Sequence, residues 1–228
     1  MKKLDSLKAL LESSTAVIFD FDNVIVDSEP YHCEAYSRVF ARHGHTIDRA
    51  EYWLEWTSRG GGAESEIRRY RLTLDADSVR AEKDPIYAGF CRSGEIKPFP
   101  EAAGVIETFR NAGLTLAIAS GSYEADIRAI LRANGLERYF SVIVGKDEIR
   151  NYKPHPDTYL IAAERLGIEP ARCLAIEDAE KGVISAHEAG MRVILIETPI
   201  TKDLRLDGAD LKLSGLAELR GLLEQIAP

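Results

Sequence analysis

A chain of 228 residues has room for one large domain, or for a core domain with a small second one. Its hydrophobic share of 45% and its charged share of 29% are ordinary for a globular protein. The formal net charge of -8 at pH 7 argues against nucleic acid or an anionic membrane surface as a partner. No apolar run approaches the length of a membrane span, and a monomer is the default expectation.

The first residues, Met1-Lys2-Lys3, are basic, but charged residues soon interrupt any apolar stretch. A short amphipathic helix is therefore predicted instead of a signal peptide. The apolar run Ala16–Phe19 follows and ends in Asp20 and Asp22. Such a run is typical of a strand buried on both faces of a parallel sheet, and these sheets place ligands at the carboxyl ends of their strands. Two carboxylates there favour a divalent cation, although a plain surface turn is the alternative.

Residues 29–97 show no convincing strand pattern and are predicted to form a small helical domain inserted after the first strand. The core would then consist of residues 1–28 and 98–228. Within the insert, the glycine run Gly60–Gly62 is interpreted as a specificity loop, with a flexible turn between helices as the alternative. The predicted helices of the insert are Pro30–His43, Arg49–Thr57, Ala63–Arg71 and Asp77–Arg92.

From residue 98 onward, short apolar runs alternate with helical patterns. The predicted strands are Leu114–Ala119, Ser141–Gly145, Cys173–Ile176 and Arg192–Ile196. The predicted helices between them are Glu101–Asn111, Glu124–Ala133, Pro156–Leu166 and Glu180–Ala189. This alternation predicts an α/β fold with a parallel sheet and helices on both faces, and the first strand should join near the middle of the sheet.

The cysteines Cys33, Cys91 and Cys173 are few, far apart and odd in number. Their spacing indicates neither a disulfide framework nor a zinc site. Cys173 opens an apolar run and is predicted to be a buried thiol of the core. Free thiols suit a reducing compartment, so a cytoplasmic protein is expected.

Ser120 and Gly121 come directly after a predicted strand. A hydroxyl and backbone N–H groups there can hold an anion, although a Ser/Gly turn that caps a helix is the commoner explanation. Lys153 precedes Pro154 and Pro156, which fix an extended entry into the next helix and would aim the lysine. Taken alone, a lysine is more often solvated than functional.

Glu177 and Asp178 form a second acidic pair at the end of a predicted buried strand. Acidic residues that stabilise the start of a helix are the plainer explanation, and both explanations can hold together. In combination, the polar residues after these strands supply acids for a metal ion, a hydroxyl and a lysine for an anion, and a carboxylate for attack.

These residues, in this order, resemble four motifs of the haloacid dehalogenase-like superfamily, within its β-phosphoglucomutase and phosphoglycolate phosphatase branch. Asp20-Phe21-Asp22, with the continuation Val26–His32, resembles the first motif. Ser120, Lys153 and the Glu177-Asp178 pair match the second, third and fourth. The resemblance implies a Rossmann-like core with an inserted helical cap domain, in agreement with the pattern above.

The resemblance also implies roles for the acidic residues. Asp20 would be the nucleophile that attacks phosphorus and forms an aspartyl-phosphate. Asp22 would protonate the leaving oxygen and then activate the hydrolytic water. The Asp20 carboxylate, the Asp22 backbone carbonyl and Asp178 would hold Mg²⁺, with Glu177 supporting the ion or its waters.

For the substrate, the resemblance implies that Ser120, Gly121 and Lys153 bind the phosphoryl oxygens. Lys153 would also act catalytically, since its charge offsets the charge that develops as the bond breaks. The helical cap would open and close over the site, which excludes water during attack and admits it for hydrolysis.

The chain departs from the family pattern at two places. Asn23 stands where the family usually has Gly, and Asn tolerates a left-handed backbone better than most residues. Tyr123 stands where phosphomutases of this branch commonly have Lys, and the segment Ser58–Glu64 does not closely match their substrate loop. The expected function is therefore a Mg²⁺-dependent phosphatase for a small phosphorylated metabolite such as a sugar phosphate. The alternatives are a phosphomutase and a non-catalytic small-molecule-binding protein of the same fold.

Overall fold

The computed structural model of the protein describes residues 2–58, 61–198 and 208–226. The chain folds into two compact units, one formed by Met1–Asp27 with Lys97–Pro228 and one formed by Ser28–Ile96. The predicted domain boundaries differ from these by one residue at each junction. In the part of the chain that the structure describes, no helix is long and apolar enough to cross a membrane.

The larger unit is built on a parallel sheet with the strand order β3-β2-β1-β4-β5-β6. The strands are β1 (Ala16–Phe19), β2 (Thr115–Ala119), β3 (Val142–Val144), β4 (Cys173–Glu177), β5 (Arg192–Ile196) and β6 (Leu211–Leu213). The α/β prediction is confirmed, and β1 lies near the middle of the sheet between β2 and β4.

Helices connect the strands and make up most of the second unit. In the described residues the α-helices are α1 (Lys2–Glu12), α2 (Glu29–Arg42), α3 (Arg49–Glu51), α4 (Gly62–Arg69), α5 (Ala76–Ser93), α6 (Ala102–Asn111), α7 (Glu124–Ala133), α8 (Asp157–Leu166), α9 (Glu180–Glu188) and α10 (Leu216–Ile226). The predicted strands and helices of the core agree with these bounds to within about one residue. β6 and α10 are elements that were not predicted.

Helices cover both faces of the sheet. Since successive residues of a strand point to opposite faces, neighbouring residues of β1 contact different helices. Ile18 belongs to the buried cluster that contains Tyr159 of α8 and Val183 of α9. Phe19, the next residue of β1, packs edge-on against Phe109 of α6 with ring centres 6.0 Å apart. The polar residues that follow the strands therefore lie at the carboxyl edge of a sheet with apolar layers on both sides.

The smaller unit is helical in its described residues, with α2 and α5 in extensive contact. α3 continues directly into a wider π-helical segment, Tyr52–Ser58. The indole N–H of Trp56 and the His45 ring both contact the buried Glu66 carboxylate, at 3.2 and 2.7 Å. This contact ties α4 to the preceding segments inside the unit.

All three cysteines are buried and free of disulfides. Burial raises the pKa of the Cys173 thiol to about 11 and also raises that of Cys33, so both thiols are protonated at pH 8.

We expect 5,5′-dithiobis(2-nitrobenzoate) at pH 8 to leave the native protein unmodified and to react with all three thiols after unfolding in guanidinium chloride. Rapid modification of Cys33 or Cys173 in the native protein would contradict this expectation.

Candidate active site

The register of the sheet brings the predicted site residues of three strands to one edge. Phe19 of β1 is level with Ile118 of β2 and Ile176 of β4. The residues that come next along these strands are Asp20, Ala119 and Glu177, and the Asp20 N–H donates to the Ile176 carbonyl at 2.9 Å. A carboxylate from β1 and a carboxylate from β4 are thereby placed side by side, with Ser120 one position further along β2.

Asp20, Glu177 and Asp178 form a compact acidic group. Each offers a carboxylate oxygen, and these atoms all lie within 4.8 Å of one another. All three residues are buried. The Asp22 carboxylate is not a member of the group, so a part for Asp22 in metal binding would depend on its backbone carbonyl, as the family resemblance implies.

The Lys153 ammonium is the cation that the structure places beside this group. It donates to Asp20 Oδ1 at 2.7 Å, to Glu177 Oε1 at 2.6 Å and to the Ala119 carbonyl at 3.0 Å. Burial alone would lower the pKa of Lys153, but the Asp20 and Glu177 carboxylates outweigh it, so the pKa is raised and the amine stays charged.

The buried carboxylates of Asp20, Glu177 and Asp178 lie close together beside the Lys153 ammonium, and the pKa values of Asp20 and Asp178 reflect this concentration of negative charge. Burial raises the pKa of Asp20 to about 7 against the attraction of Lys153, with Glu177 and Asp22 adding to the rise. The pKa of Asp178 is also raised, first by burial and then by Asp20 and Glu177. A second cation would compensate this charge, and carboxylate oxygens are the donors that Mg²⁺ prefers, so the residues present fit a divalent cation.

The Asp22 carboxylate faces the loop after β2. Its Oδ2 accepts from the Ser122 hydroxyl at 2.6 Å and from the Ser120 hydroxyl at 3.3 Å. The Ser122 N–H donates in turn to Ser120 Oγ at 3.0 Å, which closes a small ring of hydrogen bonds. At Gly121, between the serines, a Cβ would meet nothing within 4 Å, so the backbone there is open to approach.

The turn after β1 adopts the backbone that the sequence predicted for Asn23. Its φ is 60°, in the left-handed region, and its N–H donates to the Val26 carbonyl at 2.9 Å. The Ile25 N–H also returns to the Phe21 carbonyl at 2.9 Å. Asn is among the residues that enter this region most readily, so the turn that carries Asp20 and Asp22 forms without glycine.

The His155 carbonyl accepts from the Ser185 hydroxyl of α9 at 2.6 Å. Arg59 and Gly60, and with them part of the predicted specificity loop, lie outside the described residues.

Sequence reasoning missed Tyr159, Ser122 as the partner of Asp22, and Gly182. The Tyr159 hydroxyl donates to Glu177 Oε1 at 2.7 Å. A Cβ added at Gly182 would overlap the Glu177 carboxylate, so only glycine fits there while Glu177 keeps its place. The sequence signal for two of them was proximity, since Tyr159 follows Lys153 by six residues and Gly182 follows Glu177 by five.

Comparisons with known proteins identify the family of this chain. A family model for haloacid dehalogenase-like hydrolases matches residues 15–190. CbbY of Rhodobacter capsulatus is 32% identical over 216 residues, which cover 89% of this chain and 93% of that protein. Fructose-1-phosphate phosphatase YqaB of Escherichia coli is 30% identical over 186 residues, which cover 81% of this chain and 97% of that protein.

A solved structure shows the same likeness in three dimensions. The crystal structure of CbbY from Rhodobacter sphaeroides in complex with phosphate superposes with a TM-score of 0.77 at 30% identity, covering 90% of this chain and 96% of that one. An Asp-to-Asn variant of the same CbbY, in complex with xylulose-(1,5)bisphosphate, also has a TM-score of 0.77, at 29% identity.

A parallel α/β sheet that carries buried acids and a lysine at its carboxyl edge, together with these relatives, defines a phosphoric monoester hydrolase. The chain belongs to the haloacid dehalogenase-like hydrolases, in the branch that contains the β-phosphoglucomutase-like phosphatases.

Proposed function

We propose that the protein is a Mg²⁺-dependent phosphatase that hydrolyses a small phosphorylated sugar through an aspartyl-phosphate on Asp20. The observation that carries the proposal is the buried group of Asp20, Glu177 and Asp178 with Lys153 bound to two of its members. This group combines a carboxylate for attack, a lysine for the phosphoryl oxygens and oxygen ligands for a divalent cation.

In the first half-reaction, an Asp20 carboxylate oxygen attacks phosphorus. The bond from phosphorus to the sugar oxygen breaks, and the leaving oxygen takes a proton from Asp22. In the second half-reaction, Asp22 accepts a proton from the attacking water, the acyl phosphate bond opens and orthophosphate leaves. The Ser122 hydroxyl, 2.6 Å from Asp22 Oδ2, would keep the Asp22 carboxylate in position between the two proton transfers.

The substrate phosphoryl group would be bound by Lys153, by the Ser120 hydroxyl and by the backbone N–H of Gly121. Lys153 already lies 2.7 Å from Asp20 Oδ1, so a phosphoryl group that reaches Asp20 would also reach the ammonium. Mg²⁺, held by Asp20, Asp178 and the Asp22 carbonyl with Glu177 in support, would neutralise the phosphoryl charge and orient the group. The chain's own residues would provide every proton transfer.

The relatives support a sugar phosphate as the substrate class. YqaB is named for fructose 1-phosphate, and CbbY has been crystallised with a sugar bisphosphate. Both relatives are 30% identical to this chain and are matched over at least 96% of their own length. A phosphorylated sugar of five or six carbons is therefore the first class of compounds to screen.

We expect the purified protein with Mg²⁺ to release phosphate from p-nitrophenyl phosphate and, faster, from at least one member of a sugar phosphate panel. EDTA should stop the release and added Mg²⁺ should restore it, because the acidic group cannot bind a phosphate anion without a compensating cation. Free phosphate measured with malachite green is the readout. Silence across the whole panel in the presence of Mg²⁺ would refute the proposal.

A phosphomutase is the second candidate, and one observation favours it. Tyr123 replaces the Lys that phosphomutases of this branch commonly have, but the Lys146 ammonium lies 3.7 Å from the centre of the Tyr123 ring. A cation is therefore present beside this position, supplied by the next loop. Conversion of β-glucose 1-phosphate to glucose 6-phosphate, primed by the bisphosphate, would establish this second candidate.

A further inference from the structure

Tyr159 of α8 is fully buried and contacts both partners of the Lys153–Glu177 ion pair. Its hydroxyl donates to Glu177 Oε1 at 2.7 Å. The Lys153 ammonium donates to the same oxygen at 2.6 Å, and it lies 3.4 Å from the Tyr159 hydroxyl oxygen and 4.7 Å from the centre of the ring. One oxygen of Glu177 thus receives two donors, of which one is charged and one is neutral.

The Glu177 carboxylate is held on its other sides as well. Its Oε2 accepts from the Asp178 N–H at 3.1 Å. At Gly182 of α9, a Cβ would overlap the carboxylate, so the helix backbone forms a close wall. Glu177 therefore has one packed position, and the Tyr159 hydroxyl is the neutral side-chain donor that maintains it.

The Lys153 ammonium donates to two carboxylates, and the balance between these two hydrogen bonds decides how close its charge lies to Asp20. Besides Glu177, the ammonium donates to Asp20 Oδ1 at 2.7 Å. If Glu177 Oε1 lost the Tyr159 donor, it would keep unmet acceptor capacity in a buried site, where such a deficit is costly. The three N–H groups of Lys153 already go to Glu177 Oε1, to Asp20 Oδ1 and to the Ala119 carbonyl. Lys153 could turn a second N–H toward Glu177 Oε1 only by giving up its hydrogen bond to Asp20 or to Ala119.

We propose that Tyr159 is a positioning residue that keeps the Lys153 ammonium within reach of Asp20 and of the substrate phosphoryl group by satisfying Glu177 Oε1. The inference rests on the proposed function, in which Lys153 binds the phosphoryl oxygens.

The test is Tyr159→Phe, which removes the hydroxyl and keeps the ring. We expect the Kd of inorganic phosphate, measured by calorimetry at saturating Mn²⁺, and the KM for p-nitrophenyl phosphate to rise about tenfold. The kcat should change less than about threefold and the Mn²⁺ affinity, measured by electron paramagnetic resonance, less than about twofold, because Tyr159 acts through Lys153. A phosphate Kd within twofold of wild type, or a loss of Mn²⁺ affinity as large as the loss of phosphate affinity, would overturn the proposal.

Tyr139→Phe is the matched control. Tyr139 is also a mostly buried tyrosine of the core, and its hydroxyl also donates to a glutamate, Glu107 Oε1, at 2.5 Å. Its removal should leave phosphate affinity, KM and Mn²⁺ affinity at wild-type values. Equal losses in the two variants would mean that the effect is a general consequence of removing a buried hydroxyl, and would also overturn the proposal.

A second variant covers the case in which Tyr159→Phe fails to fold. Gly182→Ala displaces the Glu177 carboxylate from the other side, so phosphate affinity should fall about tenfold here too. Gly221→Ala, in α10 where a Cβ meets nothing within 4 Å, is its control and should keep wild-type affinity. Wild-type phosphate affinity in Gly182→Ala would count against the proposal. If the wild-type protein released no phosphate from any substrate, the proposed function would fail, and the phosphate and Mn²⁺ binding measurements would still judge Tyr159.

Discussion

Replacing Asp20 with Asn should reduce phosphate release at least about a hundredfold, with Mg²⁺ present, while the fold is retained. An amide cannot act as the attacking carboxylate, and the loss of one negative charge weakens the acidic group as a site for a cation. Stability should not suffer, because burial raises the pKa of Asp20 to about 7 and the folded protein therefore disfavours its charge. Thermal unfolding in EDTA at pH 8 should show a Tm at or above that of wild type.

The control is Asp5→Asn, which makes the same chemical change on the exposed surface of α1. It should keep wild-type turnover. Activity of Asp20→Asn above about a hundredth of wild type would be incompatible with covalent catalysis through this residue.

Replacing Lys153 with Met should be costly in both activity and stability. The ammonium is the cation that the structure places between Asp20 and Glu177, and its removal leaves two buried carboxylates without compensation. The expected loss in the free energy of unfolding is about 3–5 kcal/mol in EDTA at pH 8, measured by urea titration. Phosphate release should fall at least about a hundredfold, because the phosphoryl oxygens lose their charged partner.

Lys146→Met is a matched control for this loss of stability. Both lysines lie against a tyrosine ring, with Lys146 3.7 Å from the ring centre of Tyr123 and Lys153 4.7 Å from that of Tyr159. Among the described residues Lys146 has no acidic side chain within ion-pair distance, so its removal should cost no more than about 1 kcal/mol.

The loss in the free energy of unfolding of Lys153→Met should also shrink as the pH falls toward 5, since protonation of Asp20 removes one of the uncompensated charges. Equal stability of the two variants would contradict the assigned part of Lys153.

Of the two elements near the end of the chain that were not predicted, the longer one, α10, has a recognisable sequence pattern and the shorter one, β6, has none. α10 has apolar residues at Leu216, Leu219 and Leu223, all buried, so its helical period was present in the sequence and was not used. β6, with three residues, carries no such period. It becomes a strand because β5 offers an edge, with Ile194 opposite Leu211. A segment this short is decided by its neighbour in the sheet.

Local patterns in the sequence predicted the α/β class, the order of the core elements as far as β5, and the positions of Asp20, Ser120 and Glu177 at the carboxyl edge of the sheet. These follow from local pattern, because a buried parallel strand is an uninterrupted apolar run and its end is marked by the first polar residue. Three contacts could be found only in the folded chain: Lys153 donates to both Asp20 and Glu177, Tyr159 donates to the same Glu177 oxygen, and Ser122 donates to Asp22. The residues of these contacts are far apart in the sequence or belong to different loops. Lys153 and Asp20 are 133 positions apart, and their contact depends on how α8 and the strands pack, which no local spacing encodes.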